Sequence, residues 1–243
     1  MYMTDWPAFD CSKREQNGAD VLAHLPVEVA RELTALQSPI LYPAGSVIFA
    51  ENAANKGVYL ILEGEVKLSV NSPDGRRLSL QVMRRGELIG LSSTLTGCPH
   101  DFTAEALFTT RLAHIGRKDF LNFVSRHPHL HQRLMIELCR QYSLVCDQVR
   151  TLGLAASAPE RLARLLLDWS EKGHRTELGT TIHFAMTHEE IGEFIGASRE
   201  TVTRTLATFK GQGVVSLRGS TLTILDRVAL TRFLGNLRTA SAA

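Results

Sequence analysis

Cysteine is scarce and scattered, with Cys11, Cys98, Cys139 and Cys146 the four in 243 residues. That is too few, and too irregular a spacing, for a secreted disulfide framework, so free thiols are expected. Histidine is missing between His24 and His100, which removes the strand histidines that a metal-dependent jelly-roll enzyme would need. No apolar run approaches the roughly 20 residues that cross a bilayer. The opening Met-Tyr-Met-Thr-Asp-Trp also lacks a cationic segment followed by an apolar core, and a cytoplasmic protein with no membrane partner is expected. A phosphate-binding Gly-Lys-Ser/Thr loop, a Ser-His-Asp arrangement and paired carboxylates in a catalytic context are absent too, so nothing points to an enzyme. Nor is there a long low-complexity segment or an internal repeat.

Charge of one sign is in short supply as well. A formal net charge of +2 is too small to announce a polyanionic partner, so any basic surface has to be local. With 44% hydrophobic and 21% charged residues, the chain has the composition of an ordinary globular protein with room for two modest domains.

Four regimes follow one another. After a polar arm, Pro26 to Leu36 reads as a short amphipathic helix, with Val29, Leu33 and Leu36 on one side. From Leu41 to Ile115 the pattern changes to short alternating runs broken at Pro43-Ala-Gly45, Glu63-Gly64, Pro73-Asp-Gly75 and Arg85-Gly86, as in a sandwich or jelly roll. Helical periodicity returns over His127 to Leu154, where Met135, Leu138, Tyr142, Val145, Val149 and Leu152 alternate spacings of three and four. That is a coiled-coil seam, and a helix of about 40 Å is too long for a small domain to cover, so a second subunit is expected along it. Beyond a hinge at Ala155 to Pro159, a helix from Arg161 to Glu171 opens a second domain.

The most telling stretch is Thr187 to Gly211. Thr187 with Glu190 makes a capping box, Ile191, Phe194 and Ile195 give an apolar stripe, Gly196 marks a break, and Ser198 caps a second helix. On that helix Val202, Leu206 and Phe209 turn inward, leaving Arg199, Glu200, Thr203 and Arg204 outside. At about 100° per residue, positions 199, 200 and 204 lie within roughly 140° and can face one groove. Arginine can donate to guanine O6 and N7, and glutamate can accept from cytosine N4. Thr187, Ser198, Thr201, Lys210 and Arg218 are better placed for phosphates. Two strands turning at Arg218-Gly219-Ser220 read as a wing, and Asp226 as the cap of a last helix running to Leu237.

Glu-Ile-Gly-x-x-Ile-Gly-x-Ser-Arg-Glu-Thr-Val-x-Arg-x-Leu resembles the recognition motif of the catabolite activator (CRP/FNR) regulators. The likeness extends to the roll and the long helix, leaving out only the arm and the tail. It implies an α+β chain: an arm over 1–25, an effector-sensing β-roll over 26–126, a dimerisation helix and hinge over 127–156, and a winged helix-turn-helix over 157–243. It also implies a homodimer on double-stranded DNA, with RNA polymerase as a further partner. Because all three reading positions resemble the cyclic-AMP receptor branch, the expected site is a palindrome close to TGTGA, six bases, TCACA.

The sensing pocket departs from that branch. Gly86-Glu87-Leu88 matches the opening of the phosphate cassette, but His100-Asp101 stands at or near its closing Arg-Ser pair, and a carboxylate there repels a cyclic phosphate. A base-contacting threonine of the dimer helix corresponds to Cys146, beside Tyr142 and Asp147 in the same segment. The resemblance therefore implies control by an effector or state other than ordinary cyclic AMP, with a cyclic nucleotide as the alternative. The arm's single Cys11 does not suit the family's iron-sulfur branch, so no cofactor or metal is expected. Two local features stay open. Cys98, with His100 nearby to lower its pKa, is a redox sensor or a passive thiol; His127, His129 and His131 form a haem or metal anchor or merely a solvated helix start.

Overall fold

The computed structural model describes residues 25–154, 157–171, 173–183 and 186–234. The arm, Cys11 and the expected last turns to Leu237 lie outside these residues. Helix α1 (Val27–Ala35) leads into eight roll strands: β1 (Ser38–Tyr42), β2 (Val47–Phe49), β3 (Gly57–Glu63), β4 (Glu65–Asn71), β5 (Arg77–Arg84), β6 (Leu88–Ile89), β7 (Thr103–Ala106) and β8 (Thr110–Gly116). A short α2 (Leu91–Thr96) sits between β6 and β7, and α3 (Arg117–Arg126) follows β8. The strands form two four-stranded sheets, ordered β1-β8-β3-β6 and β2-β7-β4-β5, with antiparallel pairing throughout.

The apolar run Val58-Tyr-Leu-Ile61 explains how the roll is layered. Tyr59 and Ile61 point between the sheets with Phe49, Val66, Leu68, Met83 and Leu112. Val58 and Leu60 point to the other side, where Leu33, Phe120, Phe123, Leu130 and Leu134 bring helices against the sheet. A strand buried on both faces reads as an unbroken apolar run, as this one does.

The long helix α4 (His129–Leu154) runs for 26 residues, about 39 Å at 1.5 Å per residue. It is followed by α5 (Ala158–Ser170), β9 (His174–Thr176), β10 (Gly179–His183), α6 (His188–Ile195), α7 (Arg199–Gly211), β11 (Val215–Arg218), β12 (Thr221–Ile224) and α8 (Arg227–Arg232). Strands β11 and β12 are the expected wing, but they belong to a four-stranded sheet ordered β11-β12-β10-β9. The hairpin of β9 and β10 was not expected, because its exposed His-Arg-Thr strand carries no apolar alternation. Leu162, Leu166, Ile191, Phe194, Val202, Leu206, Phe209, Leu222 and Leu230 make the core of this half, with Trp169 edge-on to Phe194 at 5.5 Å.

Truncating Phe123, which is fully buried, should cost about 3–5 kcal/mol. Leu178→Ala, at a side chain 75% exposed, should stay within about 0.5 kcal/mol. Urea denaturation midpoints of the two variants check this contrast.

Candidate nucleic-acid interface

The capping box at the start of α6 is complete: Thr187 Oγ1 accepts from the Glu190 amide, and Glu190 Oε2 accepts from the Thr187 amide at 2.8 Å. Two glycines then make the sharp turn. At Gly192 a side chain would run into the Ala197 carbonyl oxygen. At Gly196 the backbone is left-handed, with φ 58°, a conformation that glycine adopts without a Cβ clash. Ser198 follows as the N-cap of α7, its hydroxyl accepting from the Thr201 amide at 3.3 Å.

With the turn fixed from both ends, Val202, Leu206 and Phe209 are buried, as their spacing requires, and Thr205 joins them. Arg199, Glu200, Thr203 and Arg204 are exposed. The Glu200 carboxyl is held below the usual carboxylate range by its own backbone amide and the Ser198 hydroxyl. It is therefore an anion at neutral pH, able to accept but not donate. Thr203 is tied down instead: its hydroxyl donates to the Arg199 carbonyl at 2.9 Å and meets His188 Nδ1 at 2.7 Å. His188, which has no apolar or capping signature, was missed in the sequence. Thr187, Ser198, Lys210 and Arg218 are exposed and Thr201 is half-buried, with Arg218 at the turn of the wing.

The residues expected to form a sensing pocket are engaged within the chain to different degrees. Glu87 is buried, with Oε2 accepting from the Arg84 amide at 2.5 Å and Oε1 3.0 Å from the Arg140 guanidinium. Arg140 also grips the fully buried Glu137 through two hydrogen bonds of 2.7 Å. Gln141 donates to Glu137 at 2.7 Å and to the Leu88 carbonyl at 3.1 Å. Burial alone would lower the Arg140 pKa, but Glu137 and Glu87 outweigh it and raise it. This network joins α4 to the cassette through Arg140 and Gln141. Tyr142, one residue further on, stands 72% exposed, its pKa raised by a hydrogen bond with Cys146. The spacing Glu137, Arg140, Gln141, three and four apart on one helix face, is the signal that would have found the network.

His100 is buried with partners of its own. Its ring stacks on Phe49 at 3.8 Å, and Nδ1 is 3.0 Å from the Ser93 hydroxyl. It is therefore engaged with Ser93 rather than poised over Cys98, which is exposed, as is Asp101. His127 is half-buried against Glu32 at 2.9 Å and beside Phe123, which makes it a packing residue rather than a free helix-start histidine.

Of the six residues expected along the seam of α4, three are half-buried in this chain and three are exposed. Leu138 packs onto the roll core, and a Cβ on Gly196 would lie 3.2 Å from Leu152 Cδ2, so both leucines have partners within the chain. Val145 is half-buried. The outward edge is made by Met135 (51% exposed), Tyr142 and Val149 (64% exposed), together with Cys139.

Comparison with known proteins bears directly on this arrangement. Residues 160–233 match the Crp-like helix-turn-helix domain, and residues 39–127 match the cyclic nucleotide-binding domain. The nitrogen fixation regulation protein FixK of Azorhizobium caulinodans is 30% identical over 206 residues, 84% of this chain and 82% of its own. The CRP-like cAMP-activated global transcriptional regulator of Mycobacterium tuberculosis is 29% identical over 201 residues, 82% of this chain and 89% of its own. The structure of FixK2 from Bradyrhizobium japonicum has the same fold, with a TM-score of 0.73 at 23% identity over 82% of this chain and 98% of that one. Among the described residues no helix is long and apolar enough to cross a membrane.

The buried ring of His100 generates a pH prediction. Burial holds its pKa below the ordinary 6.5, against a smaller opposing pull from Asp101. On acidification the unfolded chain therefore takes up a proton before the folded one does, and stability falls as pH drops through that ordinary value. The thermal midpoint should decrease between about pH 7.5 and about pH 5.5, and His100→Gln should flatten the decrease. Equal slopes for the two proteins would refute this role. The glycine-bounded, doubly capped turn, the exposed face of α7 and the two domain matches together place this chain in the CRP/FNR family of DNA-binding transcription regulators.

Proposed function

We propose that the chain acts as a homodimer that reads a palindrome close to TGTGA, six bases, TCACA, and is switched by an effector or state other than ordinary cyclic AMP. The observation that carries this reading is the exposed set Arg199, Glu200 and Arg204 on a helix fixed at its start. Two arginines suit two guanines and the ionised Glu200 suits a cytosine amino group. The half-site centres of that palindrome lie about 11 base pairs apart, close to one helical turn, as two symmetry-related recognition helices require. Thr187, Ser198, Thr201, Lys210 and Arg218 serve the phosphates, and RNA polymerase is the partner once the DNA is bound.

The dimer reading rests on the length of α4 and on its outward apolar edge, which pairs with the same edge of a second copy. The effector reading rests on Glu87 being engaged by Arg140 and on the resemblance that sets His100-Asp101 at or near the closing Arg-Ser pair of the cassette. The match to the cyclic nucleotide-binding domain favours a second reading, in which a cyclic nucleotide displaces these contacts. The exposed Cys98 thiol keeps a redox-controlled third.

Selection of duplex DNA by the purified protein, with and without cyclic AMP and under reducing and oxidising conditions, separates these readings. Enrichment of the palindrome without additive supports a competent dimer, and enrichment only with cyclic AMP overturns the effector reading. Arg204→Ala should erase preference at one guanine, worth about 1–3 kcal/mol. Lys210→Ala should weaken all sequences alike and reduce the salt slope by about one; identical sequence profiles for the two variants would sink the assignment. For the interface, a short thiol cross-linker should join subunits through Cys139 in a variant lacking the other cysteines. Efficient joining through an introduced Leu138→Cys, and none through Cys139, would restore the seam expected from the sequence.

A further inference from the structure

Lys67 is the largest fully buried side chain on the outer face of the roll, 1% exposed, in a strand whose neighbours Val66 and Leu68 point into the core. Ser69 and Ser79 share that outer face and are also buried. What covers them is the first helix of the DNA-reading turn. Lys67 Nζ lies 3.4 Å from Glu190 Oε1 and 3.3 Å from Glu193 Oε2, and the Ser79 hydroxyl donates to Glu193 at 2.8 Å. Gln148 of α4 closes the junction by donating to the Ser79 carbonyl at 3.1 Å and to the Phe194 carbonyl at 2.7 Å. Val82 of β5 packs onto the core of the DNA-reading half.

This junction differs in kind from the cores on either side of it. It is polar, its ion pairs are long, and the Ser69 hydroxyl on the same strand face as Lys67 is buried without a hydrogen-bond partner. A buried ammonium needs a paired carboxylate, whereas in an undocked chain water would solvate Lys67 and both acids. The contact is thus held largely by polar pairs that water can replace, with Val82 as its apolar part. When it is closed, it shares one ammonium between two carboxylates behind the DNA-reading turn while leaving Arg199, Glu200 and Arg204 exposed.

We propose that Lys67, Ser79 and Gln148 form a reversible clasp on Glu190 and Glu193 that holds α6, and with it α7, in the pose that fits the palindrome. The clasp rests on the DNA-reading function proposed above for its consequence, but not for its existence. It also lies on a physical route from the sensing end. Strand β5 ends at Arg84, whose amide is bound by Glu87, and α4 carries both Arg140 and, two turns later, Gln148. A change in the Glu87, Arg140 and Glu137 network therefore moves the two elements that support the clasp.

Hydrogen exchange on the full chain tests the clasp without DNA. Lys67→Glu, which sets three carboxylates together, should raise exchange in α6 and on β4 and β5, and Lys67→Glu with Glu193→Lys should restore protection. The milder Glu193→Gln and Gln148→Ala should give intermediate protection and guard against a simple folding defect, which would instead raise exchange throughout the roll. Binding to the palindrome should weaken on the order of tenfold in Lys67→Glu and recover in the double variant, with non-specific DNA binding changed far less. Unchanged exchange in Lys67→Glu would overturn the clasp, and tighter palindrome binding by that variant would overturn its assigned direction. If the parent protein selects no palindrome, the DNA reading fails while the exchange experiment still decides whether the clasp exists.

Discussion

A carboxylate taken out of water must find a cation and fill its lone pairs, and Glu137 does both from within its own helix. Arg140 and Gln141 satisfy it one turn away, and the same two residues reach outward to Glu87 and to the Leu88 carbonyl. One charged group thereby fixes the rotation of α4 on the roll, because breaking any partner would strand a buried charge. The rest of α4 follows from that rotation. Leu130 and Leu134 go into the roll core, Gln148 and Leu152 meet the DNA-reading half, and Met135, Cys139, Tyr142 and Val149 are left facing outward.

This division explains what could be read in advance. Capping boxes, turn glycines and the apolar stripe of α7 are local signals, and Thr187, Gly196, Ser198, Val202, Leu206 and Phe209 stand where their spacing put them. Heptad spacing is also local, but it reports only that a helix has apolar edges. Leu138 and Tyr142 carry similar weight in such a pattern, yet one packs on its own roll and the other does not. Only the tertiary anchor at Glu137 distinguishes them, so that of the six expected seam residues Met135, Tyr142 and Val149 are exposed while Leu138, Val145 and Leu152 are half-buried.

The same limit applies to Lys67 and His100. Alternation in β4 correctly separates Val66 and Leu68 from Lys67 and Ser69, but it cannot say that a helix more than a hundred residues later covers the polar face. A histidine beside a cysteine and an aspartate suggests shared chemistry, whereas the ring of His100 is held by Phe49 of a distant strand and by Ser93 of the preceding helix. Non-local partners, rather than weak local preferences, account for these differences.

Gly196 makes the connection between lever and reader unusually direct. Its left-handed backbone is the elbow between α6 and α7, and Leu152 of α4 rests against it, so that a methyl group on the glycine would come within 3.2 Å of Leu152 Cδ2. A helix advances 1.5 Å per residue, so even a short slide of α4 along its axis changes what the elbow touches. The lever thus bears on the reader where the backbone is left-handed, at a position that a residue other than glycine would strain.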